Sequence, residues 1–148
     1  MLALLAQSQQ LDSLNPAPFM SAGSVYCSLG HDGLAAAAFT EADALIEDNP
    51  FLASFNLISL ADALVRLERY DHAERVMRKA TRLDPGNNEV WYAYAKTAWR
   101  SGKQNEAAAC LTRLLQKNAR YYRAQLAVDP IFSDLFTMIT RTVATLTK

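Results

Sequence analysis

The chain has 148 residues, half of them hydrophobic and a fifth charged, with five Gly, five Pro and no net charge. Length and composition fit a single soluble domain with a sizeable core and favour helices. The charge is uneven: residues 1–65 hold seven acids and no Lys or Arg, while residues 66–148 hold fifteen bases and eight acids, −7 against +7. The opening Met1-Leu-Ala-Leu-Leu-Ala is too short for a membrane span and lacks a basic leader, so neither a transmembrane helix nor a signal peptide is read. Cys27 and Cys110 are isolated, outside any CxxC or Cys/His cluster, which suits reduced thiols and a cytoplasmic setting.

In chain order, Leu2, Leu4, Leu5 and Leu11 fit one short amphipathic helix over residues 1–15, with a frayed terminus as the alternative. From Pro16, Phe19, Gly23, Tyr26, Gly30, Ala35, Phe39 and Ala42 alternate large and small residues at the spacing of two packed helices, ending at Asn49. Four residues, 50–53, then separate this unit from the next. Residues 54–87 and 88–121 form two blocks of 34 in register. Leu57, Leu60, Ala61, Ala73, Met77, Ala80 and Pro85 match Trp91, Tyr94, Ala95, Ala107, Leu111, Leu114 and Ala119. Gly30 and Gly102 fall between helices, where a turn often needs positive φ. Glu68 holds the equivalent place in the middle block, which costs little if the turn stays right-handed. Asp84-Pro85-Gly86 is a turn signal. Asp129-Pro130 reads as the start of a final helix. Its apolar stripes, Ile131, Leu135, Met138 and Thr142 beside Phe132, Phe136, Ile139 and Val143, suit a cap on the open end or a contact with another chain.

A period of 34 with this order of bulky, small and turn residues resembles the tetratricopeptide repeat. The resemblance implies an all-α fold: a right-handed superhelical array of three helix-turn-helix repeats (16–49, 54–87, 88–121). An N-terminal half-repeat helix (1–15) and a C-terminal capping region (122–148) complete it. Whether the chain is part of a longer array stays open. The resemblance also implies a non-enzymatic protein-interaction module that binds a peptide segment of another protein in the groove lined by the first helices of the repeats. Carried over position by position, that groove presents Phe55, Ile58, Asp62, Val65 and Arg66 from the middle repeat. The last repeat presents Glu89, Tyr92, Lys96, Trp99 and Arg100, and the first presents Met20, Ser24, Cys27 and Ser28. The residues expected to carry binding are Arg66, Tyr92, Lys96, Trp99 and Arg100, an aromatic pair beside cations that suits acidic and apolar side chains. The alternative for Trp99 is burial beneath the capping helix.

Other chemistry finds no support. His31 and His72 lack ligand-spaced partners and read as solvent-facing; no phosphate loop, nucleophile elbow or zinc-protease motif occurs, so no catalytic residue, metal or cofactor is expected. Arg75, Arg78, Lys79, Arg82, Arg113 and Lys117 lie on second helices without interleaved aromatics, so they read as a solvated outer face, with no nucleic acid expected. The carboxylate clamp of chaperone-tail-binding relatives is missing, since Met20, Ser24, Ser59, Glu89 and Ala93 hold its places. An adaptor or assembly factor leads. A secretion-type chaperone, or a scaffold self-associating through the terminal helix or the oppositely charged ends, are the alternatives.

Overall fold

A computed structural model of the chain describes residues 15–132 together with Thr137 and Arg141. The expected N-terminal helix over 1–15 and the stripe residues Leu135, Phe136, Met138, Ile139, Thr142 and Val143 therefore lie outside the described residues, apart from Asn15. Among the described residues the fold is all-α, with seven helices. They are α1 (Ala17–Ser28), α2 (Asp32–Leu45), α3 (Pro50–Arg66), α4 (Tyr70–Leu83), α5 (Asn88–Arg100), α6 (Gln104–Lys117) and α7 (Ala119–Val128). Each odd-numbered helix up to α5 packs on its successor, and α2 on α3, α4 on α5 and α6 on α7 join the pairs into a row. α3 also touches α5 directly, which makes the first helices neighbours along one side.

The helix starts follow a simple rule. Asn49 Oδ1 accepts from the Leu52 amide at 3.0 Å, Asn87 Oδ1 from Glu89 at 3.0 Å, and Asn118 Oδ1 from Tyr121 at 3.1 Å. An asparagine thus satisfies one orphan amide at the head of α3, α5 and α7. Asn49 and Pro50 correct the sequence reading of residues 50–53 as a spacer. Pro50 sits in the first turn, where a missing N–H costs nothing, so these residues extend α3 by one turn.

The turns inside the pairs share one geometry. Backbone amides of Gly30, Glu68 and Gly102 reach the carbonyls of Cys27, Val65 and Trp99 at 2.9 to 3.1 Å. The next amides, of His31, Arg69 and Lys103, reach Tyr26, Leu64 and Ala98 at 2.8 to 2.9 Å. This pair of bonds closes a helix through one left-handed residue. Its φ is 77° at Gly30, 80° at Gly102 and 59° at Glu68. The turn at Glu68 is therefore left-handed, and the condition under which Glu in place of Gly costs little is not met: the bonding pattern imposes the same turn on the middle repeat although its residue has a Cβ.

Small and large residues interlock as the spacing requires. Ala35, Phe39, Leu57, Leu60, Ala61, Ala73, Met77 and Ala80 are buried in a first core cluster, and Ala95, Ala107, Leu111 and Leu114 in a second. Tyr94 packs against both and joins them. A Cβ added at Gly23 would lie 2.6 to 2.8 Å from atoms of the Phe39 ring, well inside van der Waals contact. Asn56, fully buried in α3, donates its Nδ2 to the Phe39 carbonyl at 2.9 Å and ties the second pair to the first.

Charges also cross between repeats. Lys79 meets Asp43 at 2.7 Å, and the buried Glu74 carboxylate meets Arg78 at 2.6 Å and Lys103 of the next repeat. The outer basic residues are thus partly engaged, with the Arg113 guanidinium 4.3 Å above the Trp91 ring and Lys117 3.4 Å from Asn88 Oδ1. Cys110 is buried and unpaired, and burial pushes its thiol up to about 12.

Two substitutions test this packing with opposite signs. Gly23→Ala is expected to lower stability by about 1–3 kcal/mol through overpacking against Phe39. Glu68→Gly is expected to raise it by roughly 0.5–1 kcal/mol by removing left-handed strain. Urea denaturation of both variants reads these values, and a stabilised Gly23→Ala or a destabilised Glu68→Gly contradicts them.

Candidate functional site

Between the neighbouring first helices α3 and α5 opens a cavity of about 390 Å³. Ile58, Ser59, Asp62 and Val65 line it from α3; Glu89, Tyr92, Ala93, Lys96, Thr97 and Arg100 line it from α5. Ile58, Asp62, Tyr92, Lys96 and Arg100 of the sequence expectation therefore meet in one place. Phe55 and Arg66 lie on the same face of α3, one turn to either side of the cavity wall, and both are exposed. Ser59 and Ala93 had been noted only as places of the missing clamp, and Thr97 was not anticipated. They flank expected positions at three- and four-residue spacings on the same faces.

Trp99 stands apart. It is half-buried and packs against the second core cluster instead of lining the cavity. The reason is rotational: at 3.6 residues per turn, Tyr92 and Trp99 share an edge of α5 that the Ala93–Thr97–Arg100 edge does not. Tyr92 sits at the boundary, lining the cavity while its ring stacks 6.3 Å from Tyr122 of α7 and meets Phe132 edge-on at 5.5 Å. Beyond it a second cavity of about 250 Å³ is lined by Glu89, Tyr92 and Lys96 together with Tyr121, Tyr122 and Gln125 of α7. From α1, none of Met20, Ser24, Cys27 and Ser28 lines either cavity. The Cys27 thiol, close enough to Arg66 to interact with it, is raised by burial against the opposing effect of that cation.

The cations of the groove are matched by carboxylates of the chain itself. Asp62 receives Arg66 at 2.5 Å and Arg100 at 3.2 Å, and Arg66 also reaches Asp32 on α2 at 3.5 Å. Lys96 lies 3.6 Å from Asp129 and 4.9 Å from the centre of the Tyr92 ring. The Tyr92 hydroxyl donates to Asp129 at 2.7 Å. Burial, then this carboxylate, raises the Tyr92 pKa above its ordinary value. Burial works to raise the Asp129 carboxyl too, but the hydrogen bonds from Tyr92 and the Ile131 amide and the Lys96 charge outweigh it, and its pKa is lowered. Asp129 had been read only as a helix start. Its Oδ1 does accept from the Ile131 amide at 3.0 Å, while its Oδ2 faces the groove residues.

His31 and His72 are exposed, and among the described residues no group of His, Cys, Asp and Glu could hold a metal ion. Mixed charge beside apolar walls on a rigid helical floor suits recognition of another molecule.

The comparisons with known proteins agree with this geometry. Residues 54–97 match the family model described as tetratricopeptide repeat. The crystal structure of YrrB, described as a TPR protein with an unusual peptide-binding site, superimposes with a TM-score of 0.65 at 18% sequence identity. The match covers 93% of this chain and 74% of that one. No curated protein gives a significant match. The structure is thus an array of helical hairpins of the protein-interaction class. Its fold is that of a tetratricopeptide-repeat protein, and residues 54–97 match the repeat itself, a unit of protein-interaction modules in general. No described helix is long and apolar enough to cross a membrane.

The Tyr92–Asp129 bond gives a pH test. A carboxyl whose folded pKa is depressed contributes its stability in full above its unfolded value, here near 3.8, and loses it as pH falls through the folded value. Tyr92→Phe is expected to cost about 1–2 kcal/mol at neutral pH, as for a hydrogen bond to a charged acceptor. The gap from the native chain should shrink below pH 4. Denaturation midpoints at pH 7 and pH 3 measure it, and a gap equal at both would contradict the assignment.

Proposed function

We propose that this protein is an adaptor or assembly factor that holds a peptide segment of a partner protein in the groove between α3 and α5. One observation carries the reading: the cavity of about 390 Å³ is lined by the first helices of two consecutive repeats and presents Ile58, Asp62, Tyr92, Lys96 and Arg100 together. Those side chains stand on helices fixed by capped starts and a packed core, so the groove is formed before a ligand arrives and little ordering entropy opposes binding. The likeness to YrrB, described as having a peptide-binding site, supports the same class of ligand. The two unpaired cysteines fit a cytoplasmic setting.

The test uses variants that spare the core. Ser59→Trp fills the cavity, and Arg100→Ala removes a lining cation. Arg75→Ala on the exposed side of α4 is the control. In affinity capture from source-cell lysate, the partner is expected to be lost with Ser59→Trp, altered in recovery with Arg100→Ala, and kept with Arg75→Ala. Equal recovery by all three folded variants moves binding away from the groove.

A further inference from the structure

The cations that first draw attention in the groove are not free. Arg66 faces Asp62 and Asp32, Arg100 faces Asp62, and Lys96 faces Asp129. An acidic ligand would have to take one of these bases from its aspartate and leave that aspartate without its counter-charge. Glu89 is in the opposite position. It lines both cavities, its charge acts on Tyr92 and Tyr122, and it makes no ion pair among the described residues. The unmatched charge of the groove is negative.

Toward the start of α3, the helix across the cavity from Glu89, the surface is apolar. Phe51 and Phe55, one helical turn apart, are 69% and 56% exposed, and Phe55 holds the position one 34-residue repeat before Glu89. Phe51 belongs to the extra turn that Asn49 and Pro50 add to α3. On a helix, Phe51, Phe55, Ile58 and Asp62 fall on one face, so the aromatic ledge continues into the cavity wall at Ile58. Exposed aromatics on a fixed helix are the type of side chain that anchors a partner.

Resting on the reading of the α3–α5 groove as the binding surface, we propose that its occupant is a basic–apolar peptide segment. A Lys or Arg of that segment pairs with Glu89, and neighbouring apolar side chains lie on Phe51, Phe55 and Ile58. Glu89 also stands in the first turn of α5, where the helix dipole favours an acid. The measurement must therefore separate recognition from helix stability.

The experiment is selection of a phage-displayed random dodecapeptide library on the full chain, with parallel selections on Glu89→Lys, Glu89→Gln and Phe55→Ala. Folding of each is checked by circular dichroism. Enriched peptides are synthesised and mapped by amide chemical shifts. The native chain is expected to enrich Lys or Arg next to Leu, Ile or Phe, with shifts on α3 and α5. The best such peptide should lose about tenfold or more in affinity on Glu89→Lys, and less on Glu89→Gln and Phe55→Ala. Selections on Glu89→Lys should turn toward Asp and Glu. Acidic peptides on the native chain, or basic ones bound equally by the Glu89 variants, overturn the proposed charge while shifts on α3 and α5 still uphold the groove. Failure of any enriched peptide to shift α3 and α5 overturns the groove reading along with it.

Discussion

The architecture depends on how closely two helices of a pair can approach, and the tightest point is Gly23 against the Phe39 ring. Two helices joined by a short turn bury a continuous stripe only if one offers a recess where the other offers a bulky side chain. Gly23 on α1, and Ala61 and Ala95 at the same place on α3 and α5, are those recesses, and all three are buried. Close pairing leaves the other face of each first helix uncovered. The groove is that uncovered face, so its position follows from where the small residues lie.

The fold was legible because it repeats. A 34-residue register lets weak signals from separate segments reinforce one another, and even Trp91 and Tyr94, which depart in size from Leu57 and Leu60, sit at matching places. What the register hid was the identity of individual turns and starts. Glu68 looked harmless because its residue type does not demand positive φ, yet the two backbone bonds that close the turn do. Residues 50–53 looked like a spacer because the repeat template has no room for them. Asn49 before them and Pro50 as their first residue, an N-cap and a first-turn Pro, were the local signal that they are helical.

The site was half legible for a related reason. Helical periodicity places a residue on a face but does not say which neighbour that face meets. Tyr92, Lys96 and Trp99 share a face by spacing, and the structure divides it: Tyr92 and Lys96 line both cavities, and Trp99 packs against the second core cluster. Apart from Asp62 and Arg66, four residues apart on α3, the partners of the cations were out of reach from spacing alone. Asp32 lies 34 residues from Arg66, Asp62 lies 38 from Arg100, and Asp129 sits beyond the end of α7. The one available hint was the overall asymmetry of charge. Three acids of the base-free half, Asp32, Asp43 and Asp62, meet Arg66, Lys79 and Arg100 across repeat boundaries, so part of that asymmetry is matched inside the array.

These pairs bear on specificity more than on stability. Each is partly exposed, and pairs of that kind contribute about 0–1 kcal/mol apiece. Their effect on a ligand is larger, because a groove whose bases are already matched offers little to an anion that water does not offer as well. A cation near Glu89 meets no such competitor, and the aromatic ledge on α3 supplies contact area that does not depend on charge. Exposed charges are screened within about 10 Å at 0.1 M salt, whereas apolar burial is not. In the proposed complex a division of labour follows: the apolar contacts set how tightly the segment is held, and the balance of paired and unpaired charge sets which segments are admitted.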